Sequence, residues 1–127
     1  MSNIFISHRT SDLVEAERLA TALRMAGHTV WLDKWNINIG DSIIEKMNQA
    51  LEVASHLIIC YSSSGVTSPW MSREWMSALA RKLNGHNIKL IPVILSGGVP
   101  PAILADLKWI DLSQNWTNRI QDLLRAL

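Results

Sequence analysis

The sequence predicts an α/β fold: a three-layer sandwich with a five-stranded parallel sheet and helices on both faces. Three observations lead there. Short apolar runs of β type alternate with longer stretches whose apolar residues recur at helical spacing. One short run, His56 to Tyr61, is apolar throughout, as a strand covered on both faces is. Gly27, Gly40 and the pair Asn84-Gly85 fall between these segments, where helices stop and loops turn.

Taken in order, Asn3 to Ser7 reads as the first strand. A helix follows from Asp12 to Ala26, with Leu13, Ala16, Ala20 and Leu23 on one face and Gly27 as its stop. Thr29 to Asp33 is the second strand, and Lys34 to Gly40 a loop. Ser42 and Glu45 make an S-x-x-E capping box, so a helix starts there and runs to Ala54 with Ile43, Met47, Ala50 and Ala54 as its buried stripe. His56 to Tyr61 is the third strand and Ser62 to Ser68 a polar loop. A helix is expected over 69–83. Ile88 to Leu95 is the fourth strand, where Pro92 would remove a ladder donor and predicts a bulge or an edge position. After a loop over 96–101 and a helical turn over 102–107 come the fifth strand, Lys108 to Leu112, and a last helix from Trp116 to Leu127.

Right-handed crossovers restrict how five such strands connect. The first strand is apolar on both faces, as a central strand is, and the second is more polar, as an edge strand is. The flavodoxin-like order 2-1-3-4-5 fits both. Ligands in such sheets collect at the carboxyl ends of the strands, near the switch between strands one and three.

The chain has 127 residues, which is enough for one core, and a single domain over 1–127 is expected. A net charge of +1 without any run of five like charges gives no footprint for nucleic acid or a membrane surface. No apolar run approaches the roughly 20 residues that span a bilayer. The N-terminus passes directly into a strand, so no signal peptide is expected and a cytoplasmic location follows. Cys60 is the one cysteine and reads as a buried thiol in a reducing compartment. His8, His28, His56 and His86 show no metal-ligand spacing, so no metal is expected. Six tryptophans are more than a core of this size ordinarily uses, and exposing one is costly without a purpose.

Several chemistries of this strand order are excluded. A receiver domain needs acidic residues after strand one, an Asp ending strand three and a Lys ending strand five; those strands end in Ser7-His8-Arg9, Tyr61-Ser62 and Leu112-Ser113. The loop from His8 to Asp12 has no glycine, so neither a dinucleotide fingerprint nor a P-loop is present. There is no G-x-S-x-G elbow.

What remains lies at 68–75, SPWMSREW. Ser68 is a good N-cap and Pro69 suits the first helical position. Trp70 and Glu74, at i and i+4, then share one face near the helix start. The preceding loop leaves the carboxyl end of strand three, so that face borders the expected cleft. An indole can stack on a flat heterocycle. A carboxylate can hold ribose hydroxyls and favour positive charge developing at an anomeric carbon. The spacing also fits an ordinary helix entrance with an acidic residue near its positive end.

The chain resembles the Toll/interleukin-1 receptor (TIR) domain, more in its bacterial than its animal form. The resemblance is carried by FISHRTSD (Phe5–Asp12), VWLDKWNINIGDSI (Val30–Ile43) and SSSGVTSPWMSREW (Ser62–Trp75), with LIPVIL (Leu90–Leu95) and LKWIDL (Leu107–Leu112) also fitting. It covers nearly the whole chain. Many bacterial and plant members cleave the N-glycosidic bond of NAD+ and release nicotinamide, while others only assemble with partner TIR domains.

Enzymatic members carry a glutamate in the pattern S-x-W-x-x-x-E, matched here by Ser68, Trp70 and Glu74. The resemblance therefore implies Glu74 as the catalytic residue and Ser68, Trp70, His8, Arg9, Asp33 and Gly40 as substrate-binding, with NAD+ as substrate and no cofactor. It makes Lys34 to Asp41 the BB loop, through which members assemble head to tail; Lys34, Trp35, Ile37, Ile39 and Asp41 are its expected contact residues. The proline usual in that loop of animal receptors and adaptors is absent, which points away from a receptor role. Bacterial members are often fused to sensor modules, so a fused or separate sensor or effector domain is an expected partner. The expected function is NAD+ cleavage to ADP-ribose or a cyclic isomer, activated by self-assembly in bacterial immunity or cell death. The alternatives are a non-catalytic scaffold and a virulence factor acting on host TIR signalling.

Overall fold

The computed structural model describes residues 2–8, 12–32, 38–61, 85, 88–95 and 109–127. Its elements are β1 (Asn3–Ser7), α1 (Leu13–Met25), β2 (Thr29–Trp31), α2 (Ile43–Val53), β3 (His56–Tyr61), β4 (Lys89–Ile94), β5 (Ile110–Asp111) and α3 (Trp116–Arg125). The strands form one sheet in the order β2-β1-β3-β4-β5, with every pairing parallel. The helix expected over 69–83, the loop over 96–101 and the turn over 102–107 lie outside the described residues. Gly85, expected to end the first of these, is itself helical.

Side chains alternate across a strand, so the sheet has two distinct faces. Ile4 and Ile6 of β1, Ile58 and Cys60 of β3, and Ile91 and Val93 of β4 share one face, packed in a single cluster with Ala16, Leu19, Ala20 and Leu23 of α1 and with Ile120 and Leu123 of α3. Phe5, Leu57 and Ile59, also fully buried, take the opposite face. There Phe5 stacks on Trp31 with centroids 4.4 Å apart and planes 10° from parallel. A cavity of about 160 Å³ separates this pair from Ala50, Val53 and Ala54 at the end of α2. Each fully buried aliphatic side chain contributes roughly 1.5–3 kcal/mol. A second tie joins α1 to α3, where the Arg18 guanidinium sits 3.9 Å over the Trp116 ring.

The element boundaries differ from expectation in instructive ways. In α1, Leu13 is only half-buried at the rim of the stripe, and Leu19 fills the core beside Ala16, Ala20 and Leu23. Among the described side chains of α2, Leu51 is buried at 2% exposure, while Ala50 and the following Ala54 are half-buried. Ala54 has already left the helix in an extended conformation (φ −71°, ψ 135°), which carries it off the stripe. The side chains of Ile43 and Met47 lie outside the description. β2 and β5 are the two edge strands; Asp33, the end of the first expected run, and Lys108, the start of the second, lie outside the described residues.

Pro92 makes no bulge. β4 holds continuous register with β3 from His56↔Lys89 to Tyr61↔Ile94. Lys89 N–H donates to Ser55 and Leu112 N–H to Ile94, so the even-numbered residues of β4 turn their backbone groups toward β5. The missing donor of Pro92 thus faces β5 rather than β3, and the proline sits in an interior strand, not at the edge the sequence suggested; among the described residues the pairing on that side joins Val93 and Ile94 to Ile110 and Asp111.

The capping box at the start of α2 is present in its first half: Ser42 Oγ accepts from Glu45 N–H at 3.3 Å. Ser42→Ala is expected to lower stability by about 1 kcal/mol, seen as an earlier denaturation midpoint at unchanged slope. A Ser42→Asp variant should recover most of the loss, since another cap acceptor replaces the hydroxyl.

At the amino ends of the strands, Asn3 N–H donates to Ser55 Oγ at 3.0 Å, and Ser55 Oγ lies 2.9 Å from His56 Nδ1. Desolvation holds the His56 pKa below its ordinary 6.5, with Lys89 and His28 adding repulsion of a positive ring. The imidazole is thus harder to protonate in the folded chain than in the unfolded one. Its contribution to stability is complete above about pH 6.5 and is lost as the pH falls from there through the lower folded value. Thermal melts should show the midpoint falling between pH 7 and pH 5, and His56→Gln should flatten that decline. An equally steep decline in the variant would assign it to other groups.

Candidate active site at the carboxyl ends of the strands

The strand order places the topological switch between β1 and β3. From β1 the chain passes through α1 to β2 on one side, and from β2 through α2 back to β3 on the other. In open sheets of this kind ligands bind beyond the carboxyl ends of the strands at the switch, here β1 and β3, where the connections diverge. Ser7 pairs in register with Ile59, which sets the two strand ends side by side.

Three polar residues are buried at this end of β1 and the start of α1: Ser7 at 1%, His8 at 3% and Asp12 at 6% exposure. Near the carboxyl end of β3, Cys60 is also buried, as its apolar surroundings in the sequence imply. Burial pushes the Cys60 thiol well up from its ordinary range, and the nearby charge of Asp12 pushes it further. The thiol is therefore protonated and inert as a nucleophile at neutral pH.

Asp12 occupies the N-cap position of α1 without capping it. Its backbone (φ −101°, ψ 13°) departs from the extended geometry of an N-cap, and its side chain makes no cap hydrogen bond. Oδ2 is buried and has no hydrogen-bond partner. Sequence reasoning missed this residue. An aspartate immediately before an amphipathic helix has the signature of a cap, and no feature of the sequence separates a cap from a carboxylate withheld from capping.

Of the other expected site residues, Ile39, Gly40 and Asp41 are described. They form a turn: Asp41 N–H donates to the Asn38 carbonyl at 3.0 Å, and Asn38 N–H donates to Asp41 Oδ2 at 2.9 Å. Gly40 takes φ +93°, as the third residue of such a turn requires. Asp41 is thus bound up in shaping the turn, and Ile39 stands fully exposed at its tip. Arg9, Asp33, Lys34, Trp35, Ile37, Ser68, Trp70 and Glu74 lie outside the described residues.

A concavity of about 920 Å³ opens beside β4, between Lys89, Ile91, Trp109, Arg119 and Arg125. It begins at the amino end of β4, away from the switch point. Among the described residues, no three His, Cys, Asp or Glu side chains are grouped to hold a metal ion, and no helix is long and apolar enough to cross a membrane.

The family model for the TIR domain matches residues 4–124. The chain belongs to the TIR-domain family. Among curated relatives, this TIR domain is 37% identical over 92 residues to the 2' cyclic ADP-D-ribose synthase BtTIR of Bacteroides thetaiotaomicron, covering 72% of this chain and 32% of that protein. It is 28% identical over 92 residues to the NAD(+) hydrolase PdTIR of Paracoccus denitrificans, covering 72% and 30%. The chain thus spans about a third of the length of these relatives. Its fold matches the crystal structure of the TIR domain of the Toll-related receptor TRR-2 from Hydra magnipapillata with a TM-score of 0.74 at 17% identity, covering 99% of this chain and 98% of that one.

Proposed function

We propose that this TIR domain cleaves the bond between nicotinamide and ribose in NAD+. The observation that carries the reading is the S-x-W-x-x-x-E pattern of Ser68, Trp70 and Glu74, which comes in the connection that leaves the carboxyl end of β3, beside the switch point. Its membership of a family whose relatives are named for ADP-ribose cyclisation and NAD+ hydrolysis supports it. NAD+ lies across the crevice with its nicotinamide ribose at Glu74, its pyrophosphate near Arg9 and a base stacked on Trp70, while His8, Asp33, Gly40 and Ser68 complete the binding surface. As the C–N bond breaks, its electron pair leaves with nicotinamide and positive charge passes to the ribose ring. The Glu74 carboxylate stabilises that charge where it develops. A hydroxyl of the second ribose then attacks the anomeric carbon and loses its proton, giving a cyclic ADP-ribose. Attack by water gives linear ADP-ribose instead. NAD+ is consumed as substrate, and no cofactor or metal takes part.

The second reading, a module that binds other TIR domains, is favoured by one feature: an apolar Ile39 presented to solvent on an ordered turn. The two readings combine if head-to-tail contact through the loop of Lys34, Trp35, Ile37, Ile39 and Asp41 completes the site of a neighbour. Cytoplasmic bacterial defence, triggered by a sensor domain, is the setting that suits such an activity.

Concentrated or artificially clustered protein incubated with NAD+, with products resolved by chromatography, tests the reading. Release of nicotinamide together with a cyclic product is the expected result. No release even under clustering would leave the scaffold reading.

A further inference from the structure

Among the described residues, Asp12 is a polar group that its own surroundings do not account for. A carboxylate taken out of water without a hydrogen bond is costly, and evolution ordinarily removes such a group or pairs it. Here its Oδ2 is buried without a hydrogen-bond partner, the N-cap interaction nearest to hand is not made, and its charge acts on the protonated thiol of Cys60. Its position is specific. Asp12 closes the connection leaving the carboxyl end of β1, and its charge is felt at Cys60, the penultimate residue of β3. The carboxylate is therefore within electrostatic reach of the carboxyl end of β3, the strand that β1 meets at the switch point.

We infer that Asp12 is a substrate-contacting residue of the β1–β3 crevice, its buried carboxylate oxygen accepting a hydrogen bond from a ribose hydroxyl of the bound nucleotide. The inference rests on the proposed NAD+ reading and extends it to a residue that reading does not use. An ionised carboxylate only accepts, so its partner must be a donor. It repels phosphate, which excludes the pyrophosphate as that partner. Ribose hydroxyls are neutral donors that come in adjacent pairs, and the nicotinamide ribose lies at the reacting end of NAD+. A bond to a charged acceptor that is already desolvated is stronger than one formed in water, and its cost has been met in the folding of the chain rather than on binding.

The test compares wild type with Asp12→Asn and Asp12→Ala in NAD+ turnover, inhibition by ADP-ribose and by nicotinamide, and thermal melting. The amide keeps the shape and one acceptor but loses the charge. KM for NAD+ is expected to rise about 3–10-fold in Asp12→Asn and at least 10-fold in Asp12→Ala, with kcat changing less than KM. Inhibition by ADP-ribose should weaken in parallel, and inhibition by nicotinamide should not change. The melting point of Asp12→Asn should equal or exceed that of wild type, because a buried unpaired charge has been removed. An Asp12→Asn protein that melts earlier with unchanged KM would make Asp12 a structural cap and overturn the inference, leaving the NAD+ reading intact. Weakened nicotinamide inhibition with unchanged ADP-ribose inhibition would overturn the ribose assignment. A wild-type protein that releases no nicotinamide would overturn both.

Discussion

Glu74→Gln is expected to reduce nicotinamide release at least 100-fold with little change in melting temperature. NAD+ carries its positive charge on the nicotinamide ring before reaction, and in the transition state that charge has moved to the ribose. A carboxylate beside the ribose therefore binds the transition state more tightly than the ground state, and only such differential binding raises the rate. Gln fills the same volume and can still hydrogen-bond a ribose hydroxyl, so substrate affinity should change little. What it lacks is the negative charge. A loss of 100-fold corresponds to about 2.7 kcal/mol, within the range found when one electrostatic stabiliser is removed from an active site. Single-turnover assays at saturating NAD+ measure this directly. Equal release by the two proteins would remove Glu74 from the mechanism.

Ile39→Glu is expected to abolish self-assembly and to lower activity at least 10-fold, again without loss of stability. Ile39 is fully exposed, so the monomer gains nothing from its apolar side chain. The turn that presents it is held by Asn38 and Asp41 and does not depend on the identity of the residue between them. Burial of an isoleucine against a neighbour contributes roughly 1.5–3 kcal/mol, and a carboxylate in the same place must be desolvated instead. Light scattering of the concentrated protein, read beside NAD+ turnover, separates the two effects. Assembly that persists in the variant would show that this turn is not the contact. Assembly lost with activity retained would show that each protomer holds a complete site.

The sheet was legible in the sequence because its signals are collective. Alternating periods, an apolar third strand and glycine punctuation agree over many residues, and they yield five parallel strands in the order found. Single positions were less legible where tertiary context decides. Leu51 rather than Ala54 fills the core because the chain turns extended one residue earlier than the apolar spacing suggests. β5 is described over Ile110 and Asp111, inside the longer apolar run that begins at Lys108, a residue outside the described ones. Pro92 predicted a bulge or an edge position, and neither is found: β4 is a regular interior strand, in which the missing donor is turned away from β3. Asp12 shows the firmest limit. Its residue type and its place before α1 both suit a cap, and only the absence of a bond distinguishes a withheld carboxylate from a used one.

The hydrogen bonds at the two ends of the described chain bear on how it can be joined to other things. Ser2 is clasped beside His28 and Thr29 at the amino ends of the strands, and Lys89, the first residue of β4, reaches the carbonyl of Ala126 at 3.4 Å. Both attachment points thus lie at one pole of the molecule, and the crevice at the other. A tether, a display scaffold or an oligomerising fusion at either end would leave the mouth of the site pointing outward, and many copies could be mounted on one support with every mouth accessible to small molecules.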